Sequence, residues 1–210
     1  MLEWHEYLEI LTALIVIVDP VGAVPIFLGL TSGQTGKYRA YTARVASITA
    51  GLVLIIASAI GEPLLLFFGI SIASFRVGGG ILVLLMAISM MNARVSPVKQ
   101  TPEESKEAEE KDNVAVVPLA IPLLAGPAAI STVIIFAHRE TEPLFKGFLV
   151  AAILFVTFLT WASLRLSIPL SSKLGRTGLN NITRVMGLLL SAIAVEFIAT
   201  GLLALFPGLQ

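Results

Sequence analysis

One aspartate and two clusters of proline and glycine, all in strongly apolar surroundings, are the residues whose types and spacing could do chemistry. Asp19 is followed by Pro20, Gly22 and Pro25 within one apolar stretch. Proline removes a backbone donor and crowds the preceding turn, and glycine adds conformational freedom, so a helix is expected to break here. If this stretch crosses a membrane, a carboxylate there costs at least ~2.5 kcal/mol, which makes Asp19 a candidate functional residue.

A second break is expected where Gly126 and Pro127 interrupt another apolar stretch. A helix that restarts near Ala128 exposes its first N–H groups, and these favour an anion such as the carboxylate of an amino acid. Ser131 and Thr132 lie one turn further on, and their hydroxyl groups could bind a carboxylate or a coupling ion. The alternative for both hydroxyl groups is a hydrogen bond to a carbonyl of their own helix.

The composition places these residues in a membrane. Of the 210 residues, 56% are hydrophobic and 13% are charged, and that charged share is about half the average for a globular protein. The formal net charge is zero, which gives no indication of a nucleic-acid partner. Cysteine is absent and the two histidines lie far apart, so neither a metal site nor another cofactor is expected. We also expect no enzymatic activity.

The apolar pattern predicts an all-α, polytopic membrane protein with six transmembrane helices. The predicted spans are residues 8–30, 43–61, 72–91, 114–137, 147–168 and 182–206. The apolar stretch 63–71 is expected to be a short interfacial or re-entrant segment. Residues 92–113 carry many charges of both signs and are predicted to form a solvated linker between one three-helix repeat, 1–91, and another, 114–210.

The distribution of lysine and arginine predicts the orientation in the cell (plasma or inner) membrane. These residues follow the first and third spans and flank the fifth, and few lie on the other side. The rich side is expected to face the cytoplasm, so the linker is predicted to be cytoplasmic and both termini to lie outside. The cytoplasmic set consists of Lys37, Arg39, Arg44, Arg94, Lys99, Lys106, Lys111, Arg165, Lys173 and Arg176.

The two halves of the chain also match each other in sequence. An Arg-Val pair followed by glycine two residues later occurs at 76–79 and again at 184–187. The two expected helix breaks lie at nearly the same spacing. Because each copy has three spans, the second copy must enter the membrane upside down, and such inverted repeats are typical of secondary transporters.

Three motifs resemble the MarC family of integral membrane proteins. They are Asp-Pro-x-Gly-x-x-Pro at 19–25, Pro-Leu-Leu-Ala-Gly-Pro at 122–127 and Arg-Val-Gly-Gly-Gly at 76–80. The resemblance covers essentially the whole chain, and the branch of small neutral amino acid transporters (SnatA-type) is the most similar. It implies six spans in two inverted halves and transport of glycine, alanine and similar substrates. Ala128 stands where similar proteins often have glycine, which is expected to narrow the cavity.

The substrate site is predicted between the two breaks of the first and fourth spans. Asp19 is expected to accept the ammonium group of the substrate, or to titrate and so couple transport to protons. The alternative is that prolines and glycines only kink packed helices, which membrane proteins tolerate. The predicted substrate-binding residues are Asp19, Pro20, Val21, Gly22, Gly126, Pro127, Ala128, Ser131 and Thr132, with Asp19 also the ion-coupling residue.

A buried structural pair between Arg76 and Glu196 is also expected, since both should lie at a similar depth. The alternative for Arg76 is that its side chain extends to the lipid headgroups.

The predicted function is secondary active transport of small neutral amino acids, with alternating access to a site at the membrane midplane. Expected partners are the substrate, the lipid bilayer, and protons or sodium as coupling ion, and the oligomeric state stays open. A channel would need a continuous polar path, which the spans do not offer. An exporter of another small solute and a scaffold protein are further alternatives, although a scaffold leaves Asp19 unexplained.

Overall fold

The computed structural model describes residues 4–31, 34–92, 115–139, 142–206 and 208, and all regular structure in these ranges is helical. The all-α prediction is therefore confirmed for them. The predicted linker 92–113 lies outside the described residues, apart from Asn92. The helices are α1 (Trp4–Val18), α2 (Ala23–Leu30), α3 (Gly36–Phe67), α4 (Ile72–Met91), α5 (Ala115–Leu124), α6 (Pro127–Arg139), α7 (Pro143–Arg165) and α8 (Ser167–Leu205).

Within the described ranges, five helical stretches are long and apolar enough to cross a membrane. Large apolar side chains such as Ile48, Leu52 and Ile56 are half exposed along one side of α3, as a lipid-facing surface requires. The chain is thus a polytopic membrane protein. The five stretches are Trp4–Leu30, Gly36–Phe67, Ile72–Met91, Pro143–Arg165 and Thr177–Leu205.

The predicted span 114–137 corresponds to α5 and α6, which have 10 and 13 residues. Because a membrane crossing needs about 20 residues, neither helix crosses alone. The count of six spans and the inverted arrangement of the halves stay predictions.

Several helices begin or end far from the predicted span ends. Helix α3 continues through Pro63 to Phe67, so the segment 63–71 is largely the end of this helix rather than a separate piece. Helix α8 begins at Ser167 and is interrupted at Gly175, whose φ is 62°. Hydropathy does not mark the start of α8 because it is polar, and at Pro63 the backbone continues as helix although proline predicts a break.

Helices α4 and α8 pack closely because glycine brings their backbones together. A Cβ atom on any of three interface glycines would lie 2.9–3.0 Å from a carbonyl oxygen of the other helix. The residue numbers of the contacting pairs decrease along α8 as they increase along α4, so the two helices run antiparallel. The contacts pair Gly201 with Ala73, Gly80 with Ala194, and Gly187 with Ala87.

The remaining contacts enclose the two broken regions. Helix α3 packs on α7 and also on α5 and α6, whereas α7 packs on α1 and α2. Helix α4 contacts α6, and α8 contacts α1 and α2. Glycines again permit close approach, since Gly51 of α3 lies against Thr157 of α7 and Gly61 lies against Ile134 of α6. Several contacts between the halves have a counterpart with the halves exchanged: α3 with α5 and α1 with α7, α3 with α6 and α2 with α7, and α4 with α6 and α2 with α8.

Ion pairs tie the end of α6 to two other helices. Arg139 donates to Glu6 through Nη2 at 3.0 Å and to Glu9 through Nη1 at 3.1 Å, and both carboxylates belong to α1. His138 Nδ1 lies 2.7 Å from Glu62 Oε1 of α3. These side chains are partly exposed, so each pair contributes ~1 kcal/mol or less. Together they hold one end of the bundle closed.

The close packing of α4 on α8 predicts opposite effects at two neighbouring glycines. Gly80→Ala places a Cβ against Ala194 O and Ile198, so we expect a loss of ~1–3 kcal/mol from overpacking. Gly78→Ala meets open space and should be neutral, or more stable by ~0.5–1 kcal/mol because alanine favours helix. Thermal unfolding of the two purified variants in the same detergent measures the difference, and equal melting temperatures would contradict this packing.

Candidate functional site

The first break lies where the sequence predicts it. Asp19 follows the last residue of α1 and has a left-handed φ of 53°, a conformation that a short polar side chain tolerates. Two backbone hydrogen bonds cross the break, from Asp19 N to Ile15 O at 3.0 Å and from Ala23 N to Asp19 O at 3.1 Å. These bonds satisfy the carbonyl groups of Ile15 and Asp19, whereas the last carbonyl groups of α1 have no partner within the helix.

The carboxylate of Asp19 stabilises the start of α2. Asp19 is buried, with 4% of its surface exposed, and its Oδ1 accepts a hydrogen bond from Gly22 N at 3.0 Å. A Cβ on Gly22 would overlap this carboxylate, so a larger residue at position 22 would displace it from the Gly22 N–H. The negative charge lies at the positive end of the α2 dipole, which offsets part of the cost of burying it.

The second break has a different construction. Helix α5 is of the π type, and its pattern ends with a bond from Ala125 N to Ala120 O at 2.9 Å. In α6 the bond from Ile130 N to Gly126 O, at 3.0 Å, is the first of the regular pattern. The N–H groups of Ala128 and Ala129 precede it and have no partner within the helix.

The start of α6 is also buried and carries no side-chain cap. Ala128 and Ala129 are each only 2% exposed, and Gly126, the residue before the helix, has no side chain to accept a hydrogen bond. Two backbone donors therefore lie inside the protein at the positive end of a helix, an arrangement that favours an anion.

A narrow gap lies between the end of α1 and this second break. It leaves no room for a water molecule, so the site is closed in this structure. A ligand could enter only if α1 and α6 moved apart. The lining residues are Ile17, Met86, Leu123, Leu124, Gly126, Pro127, Ala128 and Ala129.

The structure assigns the predicted site residues to different environments. Residues 126–128 line the gap, as expected of a site at the second break. Residues 19–22 form the turn that follows Ile17, and they are not among the lining residues. The two breaks are thus neighbours across the gap, with the Asp19 turn just beyond its edge.

The two hydroxyl groups of α6 also differ. Thr132 is fully buried, and its Oγ1 donates to Ala128 O at 2.9 Å, so it follows the alternative of bonding to its own helix. Ser131 packs against α4, where a Cβ on Gly79 would lie 2.9 Å from Ser131 Cβ. In the described ranges the Ser131 hydroxyl makes no hydrogen bond, so it stays available to a ligand.

The expected pair between Arg76 and Glu196 is not formed among the described residues. Glu196 is exposed and accepts a hydrogen bond from Thr200 Oγ1 at 3.3 Å, and Arg76 Nε is buried without a partner. The cause is helical geometry: Ala194 and Ile198 face α4, so position 196, midway between them, points away. Similar depth in the membrane was not sufficient for a contact.

Met86 is a lining residue that the sequence reasoning missed. It is 2% exposed and reaches the gap from α4. Gly79, Val83 and Met90 are buried at helical spacing from it on the same face. This stripe is the sequence signal that could have indicated which face of α4 meets the second break.

The gap offers two kinds of chemical group. Its lining side chains are apolar and none of them titrates, whereas its polar groups are the backbone donors of α6. In the part of the chain that the structure describes, no three His, Cys, Asp or Glu side chains converge in a metal-binding group. The arrangement suits a small ligand with one anionic and one apolar part.

Comparisons with known proteins agree with one another. A family model described as MarC family integral membrane protein matches residues 4–206. The UPF0056 membrane protein YhcE of Escherichia coli is 42% identical over 208 residues, covering 99% of this chain and 96% of the relative. YvbG of Bacillus subtilis, also a UPF0056 membrane protein, is 37% identical over 202 residues, with 96% of each chain covered. No solved structure matches the chain.

The contact between Asp19 and Gly22 predicts a sharp difference between two glycines of the same region. Gly22→Ala should displace the carboxylate from the N–H it caps and lower stability by ~1–2 kcal/mol. Gly29→Ala, where a Cβ meets nothing within 4 Å, is the matched control and should unfold at or above the wild-type temperature. Thermal unfolding in detergent compares them. Equal stability of the two variants would show that the carboxylate does not cap α2.

Proposed function

The chain belongs to the MarC family of integral membrane proteins, and on that premise we propose that it transports small neutral amino acids, such as glycine and alanine, across the cell membrane. Transport is secondary active and coupled to protons, with alternating access to a site between the two helix breaks. The observation that carries the proposal is the buried, uncapped start of α6 beside the end of α1.

The difference between the two breaks supports an amino acid as the substrate. At the first break the protein supplies its own carboxylate, because Asp19 caps Gly22 N. At the second break Gly126 supplies none, so the carboxylate of a substrate would complete the start of α6. The free carbonyl groups at the end of α1 and the nearby Asp19 then suit the ammonium group.

The lining residues support a small substrate. Ala128 and Ala129 project only methyl groups, and Ile17 and Met86 enclose the gap from the other side. A side chain of one carbon or fewer fits such apolar, narrow surroundings with the least rearrangement. A bulky or charged side chain would need a wider or more polar gap.

Asp19 supports coupling to protons. It is a buried carboxylate in a strained conformation next to the gap. Protonation would remove the charge that the start of α2 stabilises, so the energy of this turn depends on proton binding. The proton and the substrate ammonium group would then act on the same turn.

The arrangement of helices supports alternating access. Helices α4 and α8, which carry the matching motifs at 76–79 and 184–187, run antiparallel, as an inverted duplication requires. Several contacts between the halves also occur in exchanged pairs, such as α4 with α6 and α2 with α8. Two equivalent halves offer two equivalent ways to open, one toward each side of the membrane.

The two ends of the bundle differ in a way that fits one access state. Ion pairs of Arg139 and His138 close the end where α6 terminates. At the other end, a cavity of about 410 Å³ lies between α2 and α8. It is lined by Pro25, Leu28, Gly29, Ser171, Leu179 and Asn180.

The alternatives have weaker support. A channel needs a continuous polar path, whereas the gap is apolar and too narrow for water. A scaffold has no use for a buried carboxylate in a left-handed turn. An exporter of another small solute would share the architecture, so substrate tests must separate it from the proposed function.

Uptake of labelled glycine and alanine into proteoliposomes tests the proposal directly. We expect saturable uptake that an inward proton gradient stimulates, and loss of that stimulation in Asp19→Asn, with rates at least about tenfold lower. Asp112→Asn, in the charged segment 92–113, is the matched control and should behave as wild type. Folded wild-type protein without uptake would reject the amino acid substrate, and an Asp19→Asn variant with unchanged stimulation would reject proton coupling through Asp19.

Substitution of Ala128 tests the position of the substrate. Ala128→Val adds two methyl groups to the gap, so we expect the KM for alanine to rise about tenfold or more, and to rise more than the KM for glycine. Ala151→Val, on an exposed position of α7, is the control and should leave both values unchanged. The concentration dependence of uptake gives these values. Equal KM values in the two variants would place the substrate elsewhere.

A further inference from the structure

A second pocket lies at the junction of α3, α7 and α8, apart from the gap between the helix breaks. Arg39 and Arg165 line it together with Ser167, the first residue of α8. None of its lining side chains is acidic. The remaining lining residues are Gly36, Ala40, Leu164 and Ile168.

The hydroxyl group of Ser167 indicates that this pocket has a ligand. Ser167 is 1% exposed, and its Oγ is buried without a hydrogen-bond partner. A buried hydroxyl group without a partner is unfavourable and uncommon in folded proteins. An acceptor bound in the pocket would satisfy it.

The guanidinium group of Arg39 is already oriented for such a ligand. Its Nε donates to Thr31 Oγ1 at 3.2 Å and its Nη2 donates to Thr31 O at 3.1 Å. Thr31 is itself fixed by donating to Phe27 O at 2.7 Å. Arg39 Nη1 and the whole guanidinium group of Arg165 make no hydrogen bond or ion pair within the described ranges.

The charge and size of the pocket together define the ligand. Two arginines without a carboxylate between them attract an anion, and the planar guanidinium group matches the oxygens of phosphate. The pocket has a volume of about 50 Å³, whereas one water molecule occupies ~30 Å³ in the liquid. It therefore has room for one small anionic group.

The location points to a lipid as the source of that group. Arg39 lies in the first turn of α3 and Arg165 is the last residue of α7, so both lie where membrane-spanning helices end. Tyr38, Tyr41 and Trp161 lie within one turn of them, and such aromatic residues mark the headgroup region. We propose that Arg39, Arg165 and Ser167 bind the phosphate group of an anionic lipid such as phosphatidylglycerol.

Titration of the purified protein with short-chain phosphatidylglycerol in detergent tests this site. We expect a saturable rise in melting temperature for wild type, and a dissociation constant about tenfold higher for Arg165→Gln. Arg44→Gln is the control, because Arg44 lies at the same end of α3 over the ring of Tyr41 and does not line the pocket. Short-chain phosphatidylcholine, which has no net charge, should give a much smaller rise.

The variant Ser167→Ala distinguishes an effect on lipid binding from an effect on the stability of the protein. Without lipid this variant should melt at or above the wild-type temperature, since it removes an unsatisfied buried hydroxyl group, and with phosphatidylglycerol its gain should be smaller than that of wild type. A titration with inorganic phosphate alone shows whether the bound phosphate group comes from a lipid or from free phosphate. Stabilisation by phosphate but not by lipid would overturn the lipid assignment. Equal lipid affinity in wild type, Arg165→Gln and Ser167→Ala, or an equal loss in Arg44→Gln, would overturn the site.

Discussion

The need to satisfy every backbone N–H and C=O group away from water governs this structure. Two interrupted helices violate that requirement inside a membrane protein, and each is tolerated only because other helices surround it. At the first interruption Asp19 supplies the missing acceptor from its side chain. At the second the N–H groups of Ala128 and Ala129 stay without a helical partner, and the surrounding helices bury them.

Two kinds of contact hold the surrounding helices. Glycines of α4 and α8 lie directly against backbone carbonyl groups of the other helix, so the two backbones pack in close contact. The end of α6 is held by partly exposed ion pairs, and these are weak enough to break and reform.

The sequence predicts the helix breaks well because proline and glycine act on the backbone at their own positions. It predicts helix ends poorly, since α8 begins with a polar segment that hydropathy does not distinguish from a loop. The contact of Arg76 with Glu196 failed because depth along a helix says nothing about direction around it. Met86 and Ser167 were missed for a related reason: a residue becomes part of a site through neighbours that are distant in sequence.

The contact of Asp19 with Gly22 also limits how this protein can vary over evolutionary time. A Cβ at position 22 would overlap the carboxylate at position 19, so a change at position 22 requires that the carboxylate move or be replaced. Substitutions there are epistatic: the effect of one depends on the residue present at the other, as expected for groups in direct contact. Descendants of this sequence that keep the aspartate at position 19 should therefore also keep the glycine at position 22.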